Sequence, residues 1–200
     1  MRLKISFLST LVACTFLLIF TRCLGQSGPV VVSGRKIPDV VLTDQHGKRV
    51  HIYSDLMKGK VVAINTIFTT CTTICPMNGM KFSELSRLLD NDIRGRVSLI
   101  SITVDPLVDT PQRLDDWSHQ FGASGPEWTL LTGPKDDVEQ LLKALQIFNG
   151  DKLNHSPDFL LGGEGMDTWA RPSSSYTVPQ LADLIRSRLK QTANYAQARH

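Results

Sequence analysis

Two cysteines stand out by type and spacing. In Phe68-Thr69-Thr70-Cys71-Thr72-Thr73-Ile74-Cys75-Pro76 the sulfurs are four residues apart, after an apolar run of strand length and before a proline. That pattern marks the junction of a buried strand with a helix. A helix start leaves backbone N–H groups unpartnered and carries the positive end of the helix dipole, which favours thiolate over thiol. If the segment is helical, the two Cα atoms lie about 6 Å apart along the axis, within the range of about 4.4 to 6.8 Å that a disulfide tolerates. The same separation lets two thiolates share one soft metal ion. The spacing therefore supports a reversible dithiol/disulfide or a two-sulfur metal clamp, beside a static bridge that would close a very short loop and stabilise little.

Ligand softness narrows the metal. Two thiolates with one imidazole suit Cu(I) and tolerate Cu(II), whereas structural zinc usually takes four protein ligands. A third ligand must come from His46, His51, His119, His155 or His200. His46 occupies a turn, His119 the polar side of a helix and His200 the chain end, all read as solvated. His155 differs: it immediately precedes Ser156-Pro157 and the apolar stretch Phe159 to Leu161, a loop that in a thioredoxin-like sandwich faces a cysteine-bearing turn.

The elements that must position these residues follow from periodicity. Asp39 to Leu42 and Lys48 to Ile52 form an N-terminal hairpin across the turn Asp44-Gln45-His46-Gly47. Val61 to Phe68 and Val97 to Val104 are nearly continuous apolar runs, as buried central strands are. Between them a helix starts near Pro76 and sets Met80, Leu85, Leu88 and Leu89 toward one face. Thr110 caps a second helix with Pro111 in its first turn and Leu114, Trp117 and Phe121 inward. Trp128 to Leu131 reads as a strand and Lys135 to Leu145 as a helix. Phe159 to Leu161 and Thr168 to Arg171 read as a hairpin turning at Gly162-Gly163-Glu164-Gly165, and Thr177 caps a last helix carrying Leu181, Leu184, Ile185 and Leu189. Alternating strands and helices predict an α/β sandwich around one mixed sheet.

Composition sets the frame. The 200 residues are 42% apolar and 20% charged, enough for one sizeable core. The formal charge of +3 resides in Arg2, Lys4 and Arg22, since 19 basic residues balance 19 acidic ones from Gln26 onward. A neutral body gives no electrostatic footprint for nucleic acid. Two positive charges followed by an uncharged run from Ile5 to Thr21 make residues 1–25 a signal peptide or membrane anchor that sends the body outward. Cys23-Leu24-Gly25 offers a cleavage site, and Leu11-Val12-Ala13-Cys14 looks like an early lipoprotein box. Residues 26–34 read as a tether, 35–190 as the domain and 191–200 as a polar tail that frays after Lys190. Cys14 and Cys23 belong to the leader, so only Cys71 and Cys75 remain in the exported body.

These stretches together resemble the Sco/SenC family of copper proteins: LTDQHGKRV, DLMKGKVVAIN, FTTCTTICP, ISITVDPLVDTPQRL, EWTLLTG and LNHS. The resemblance covers roughly Pro38 to His155 and implies a thioredoxin-like fold tethered to the outer face of an energy-conserving membrane, or exported to the periplasm. It implies one copper per chain, held by Cys71, Cys75 and His155. It also implies, as partner, the copper-bearing subunit of cytochrome c oxidase or another copper chaperone, served by copper delivery or by keeping the subunit's cysteines reduced. Asp105 and Asp109 match family positions and are read here as a turn and a helix entry. Thr72 stands where a proline is common. Asn154 replaces the usual Asp, removing a negative charge beside the imidazole, and the hairpin after it reads LLGGEGMDTWAR in place of the usual Leu-x-Asp-x-x-Gly type. Pro157 resembles the proline that is cis and abuts the cysteines in thiol-disulfide oxidoreductases. An extracytoplasmic thiol:disulfide oxidoreductase using Cys71 and Cys75 is thus the alternative.

Overall fold

The computed structural model describes residues 30–33, 37–89, 93, 95–121, 128–147, 150, 157–163, 166 and 168–197. Two strands, β4 (Val61–Ile67) and β5 (Val97–Thr103), are buried along their whole length, as their unbroken apolar character requires. They pair in parallel from Val61↔Val97 to Ile67↔Thr103, and β6 (Trp128–Thr132) continues the parallel set beside β5. The crossovers are α1 (Ile74–Leu88) and α2 (Pro111–His119). Three parallel strands joined this way bring the ends of β4 and β5 and the starts of α1 and α2 to one edge of the sheet.

Antiparallel strands complete the sheet on both sides. β2 (Val41–Asp44) and β3 (Arg49–His51) form the N-terminal hairpin, which docks on β6. β7 (Leu160–Gly163) runs antiparallel to β4, β8 (Thr168–Arg171) pairs with β7, and β1 (Val30–Ser33) pairs with β8. The eight-stranded order is β1-β8-β7-β4-β5-β6-β2-β3. The helices α3 (Lys135–Ala144) and α4 (Val178–Gln197) cover opposite faces. One core joins Ala63, Leu99 and Leu130 to α1, α2 and α4; the other joins Val62, Ile64 and Ile100 to α3 and a π-helical segment, Ile52–Met57. Alternate residues of the central strands feed the two cores, as strand pleating dictates.

Four expectations need correction. The tether contains β1, because Val30, Val31 and Val32 are β-branched and find a free edge on β8. The last helix continues past Lys190 to Gln197. Met80 and Leu88 point outward at 55% and 41% exposure; the buried face of α1 is instead Cys75, Asn78, Gly79, Phe82, Ser83, Leu85 and Ser86. Phe82, stacked on Phe159 at 5.5 Å and edge-on to Trp128 at 6.0 Å, sets that phase. Small residues flank it where α1 approaches its neighbours: a Cβ on Gly79 would lie 2.8 Å from the Trp117 ring. Finally, Gly162 and Gly163 lie within β7 and not in the turn. A Cβ on Gly162 would sit 2.1 Å from the buried Trp169 ring, and one on Gly163 would sit 2.4 Å from the Lys60 carbonyl oxygen. Their role is close approach rather than chain reversal.

Candidate metal centre

Cys71 and Cys75 come together at the β4–α1 junction, and both are buried free thiols. Cys71 lies in the turn before α1, its N–H donating to the Phe68 carbonyl at 3.1 Å, while Cys75 is the second residue of the helix. The separation argued from a continuous helix therefore does not apply to the pair; a turn followed by a helix start brings the sulfurs into contact instead.

The junction also makes the two thiols unequal. Burial pushes the Cys71 pKa up, but hydrogen bonds from the Cys75 thiol and backbone N–H and from Thr73 outweigh it, so the pKa falls below its ordinary value. Thr73, the residue before α1, has no side-chain capping bond of its own; the Cys71 sulfur takes up donors that a capping oxygen would otherwise satisfy. Burial drives Cys75 the other way, to about 12, reinforced by its hydrogen bond to Cys71 and by the negative charges of Cys71 and Asp109. One sulfur is a ready nucleophile and ligand, and the other is a proton store behind it.

An alkylation experiment reads this asymmetry. With the reduced chain and iodoacetamide at pH 8, Cys71 is expected to react and Cys75 to be spared, since a pKa of about 12 leaves roughly one part in ten thousand as thiolate. Raising the pH should increase the Cys71 rate only until its lowered pKa is passed. Equal labelling of the two at pH 8, located by peptide mass, would contradict the assignment.

Asp109, read from the sequence as a helix entry, and Asn78, which sequence reasoning did not single out, hold the junction. Asp109, 1% exposed, accepts from the Thr69 N–H at 3.2 Å and from the Thr69 and Thr103 hydroxyls at 2.5 Å each. It therefore does more than enter a helix: it ties the turn leading to Cys71 to the end of β5. Thr69 carried no signal of its own in the sequence. Asn78 does have one, a polar residue one turn after Cys75 on the same helix face; its side-chain amide donates to the Pro157 carbonyl at 3.0 Å. The loop that follows His155 is thus fastened to the cysteine helix.

His155 itself lies outside the described residues, as do Ser156, Asn154, His200, Cys14 and Cys23. Of the predicted ligands, the structure brings together the two cysteines. His51 sits 3.6 Å from Asp39, and His46 and His119 both face Asp115.

The family model described as SCO1/SenC matches residues 34–189. The chain belongs to the SCO1/SenC family. It is 32% identical over 129 residues to the SCO1 protein homolog of Bacillus subtilis and 31% identical over 116 residues to Protein sco1 of Schizosaccharomyces pombe. These matches cover 60% and 58% of this chain and 64% and 42% of the relatives, so the chain spans about half the length of the curated SCO proteins it matches. Among solved structures, copper-bound ScoI of Bradyrhizobium japonicum superposes with a TM-score of 0.63 at 24% identity, covering 78% of this chain and 99% of that one. BsSco, a Sco-family cytochrome c oxidase assembly protein in which a disulfide switch was identified, superposes with a TM-score of 0.64 at 24% identity, covering 82% and 98%. The SCO1/SenC fold, a thioredoxin-like α/β sandwich with its N-terminal hairpin, is therefore the architecture of this chain.

Proposed function

We propose that this SCO1/SenC chain is an exported copper carrier serving assembly of cytochrome c oxidase, with Cys71, Cys75 and His155 as ligands. The observation that carries the reading is the pair of buried, unbridged thiols, hydrogen-bonded to each other at a strand–helix junction, with Cys71 poised toward thiolate. Two soft sulfurs and an imidazole fit a monovalent copper ion. The tie between Asn78 and Pro157 supports the third ligand, because His155 is only two residues, about 7 Å of extended chain, from an anchored carbonyl. Copper in the B. japonicum relative supports the choice of metal.

Copper is cargo in this reading. Cys71, the less enclosed of the two sulfurs at 9% exposure against 0%, is the ligand that a partner's thiol displaces first, with Cys75 and His155 following. Residues 1–25 hold the body at the outer face of a membrane or deliver it to the periplasm; among the described residues no helix is long and apolar enough to cross a membrane. The partner is the oxidase's copper-bearing subunit or another copper chaperone.

The inequality of the thiols favours a second use of the same pair. The Cys71 thiolate attacks a partner disulfide, forming a mixed disulfide and releasing one partner thiolate. Cys75 then gives up its proton and attacks the Cys71 sulfur, which closes the Cys71–Cys75 disulfide and releases the second partner thiol. The partner gains two electrons and the pair loses two. That closure also removes both sulfur ligands from copper.

Anaerobic Cu(I) titration of the reduced chain tests the carrier reading. One copper per chain is expected, none for the disulfide form, and clearly weaker binding for His155→Ala. A reduced chain that takes up no Cu(I), yet turns over in an insulin-reduction assay, would leave only the oxidoreductase.

A further inference from the structure

We propose that Lys81 is a positioning residue for copper binding: by gripping the loop of residues 173–176 it holds residues 157–159 against the cysteine helix, at the root of the segment that supplies the third ligand. The proposal rests on the copper reading above, with His155 as that ligand. The order of residues on α1 suits the task. Cys75, Asn78 and Lys81 follow one another at three-residue spacing, so they lie along one ridge of the helix, about 9 Å from first to last. Cys75 carries the buried sulfur, and Asn78 donates to the Pro157 carbonyl.

Lys81 is half-buried, and its ammonium donates to the carbonyls of Ser174 and Tyr176, the second at 3.0 Å. The same nitrogen lies 5.9 Å from the centre of the Phe159 ring, where the face of an aromatic ring attracts a cation. Both hydrogen-bond acceptors are neutral main-chain groups. What fixes this charge is therefore the loop and the ring rather than an ion pair, and a hydrogen bond from a charged donor is stronger than a neutral one.

The loop that Lys81 grips is the one that holds the entry to β7. Ser174 donates its N–H to Asp158 Oδ1 at 3.2 Å, and Phe159 donates its own to the Pro172 carbonyl at 3.0 Å. The Phe159 ring also stacks on Phe82, the residue after Lys81 on α1. Residues 157–159 are thus tied to α1 directly through Asn78 and indirectly through residues 172–174. Removing the ammonium takes away the two charged hydrogen bonds that join this loop to the helix carrying the thiols. His155 precedes Pro157 by two residues, so a shift of residues 157–159 passes straight to it. Losing a partner that supports a metal ligand costs about 10- to 100-fold in affinity, and Lys81, one step further removed, belongs at the low end.

The test is anaerobic competition of the reduced full chain against a chromogenic Cu(I) chelator. Lys81→Met keeps an unbranched stem over Phe159 and removes the donor, and it is expected to weaken Cu(I) binding about tenfold. In a His155→Ala background the same substitution should change nothing, because its effect runs through the histidine. A general loosening of the fold would cost affinity in both backgrounds. Asp158→Ala cuts the same chain of contacts at a partly exposed residue and should repeat the pattern, which keeps the test available should Lys81→Met not fold. Parent affinity in folded Lys81→Met or in Asp158→Ala, or a loss of equal size in the His155→Ala background, would overturn the proposal. Failure of the copper reading shows separately, without any Lys81 variant: a parent chain that binds no Cu(I), or a His155→Ala chain that binds as the parent does, removes that reading and this proposal with it.

Discussion

Cys75→Ser is expected to abolish tight Cu(I) binding, lowering affinity by several orders of magnitude. The substitution replaces a soft sulfur by a hard hydroxyl that a monovalent copper ion does not favour. The serine hydroxyl can still donate to the Cys71 sulfur, so the loss is that of the second soft ligand itself. Cys75 is fully buried and serine is nearly the same size, so the fold should survive. Competition titration against a coloured Cu(I) chelator, with circular dichroism as the folding control, measures the loss. A Cys75→Ser chain that competes as well as the parent would remove the buried sulfur from the site.

Asp109→Ala carries the second large effect, on stability. The carboxylate is the acceptor for one backbone N–H and two hydroxyls, and alanine leaves all three donors without it in a nearly closed environment. Leaving a buried polar group unpaired costs about 1 to 3 kcal/mol, and the hydroxyls can turn to other acceptors while the Thr69 N–H cannot. A net destabilisation of about 2 to 4 kcal/mol follows, read from denaturant unfolding. Asp109→Asn keeps an acceptor in place and should cost less. The variants should also be separable at the thiols. Burial and the hydrogen bond to Cys71 dominate the raised pKa of Cys75, and the Asp109 charge adds to them. Removing that charge moves Cys75 downward and speeds its alkylation modestly in both variants. Wild-type stability in Asp109→Ala would show that the turn stands without its carboxylate.

The central strands, the hairpin and three of the four helices were legible because apolar period and capping chemistry speak directly to them. Val61–Ile67 and Val97–Thr103 are apolar runs, and Thr110 with Pro111 announces α2, where the Thr110 hydroxyl does accept from the Arg113 N–H. The face of α1 was not legible from the leucines. Its inner side is built around one phenylalanine with Asn, Gly and Ser where neighbours come close, so Met80 and Leu88 were left outside. Glycine misled the reading of β7 for a related reason: in sequence it marks a turn, but here it makes room for Trp169. At the site, the cysteines declared themselves by spacing. Asp109 did not, because a helix-entry aspartate and a buried clamp look alike until β4 and β5 are placed side by side.

The most direct measurement of the central claim is X-ray absorption at the copper edge on the Cu(I)-loaded, reduced chain, compared with His155→Ala. A three-coordinate shell of two sulfurs and one nitrogen is expected, with the nitrogen lost in the variant. A shell of sulfur alone in the parent chain, or one that His155→Ala leaves unchanged, would contradict the account.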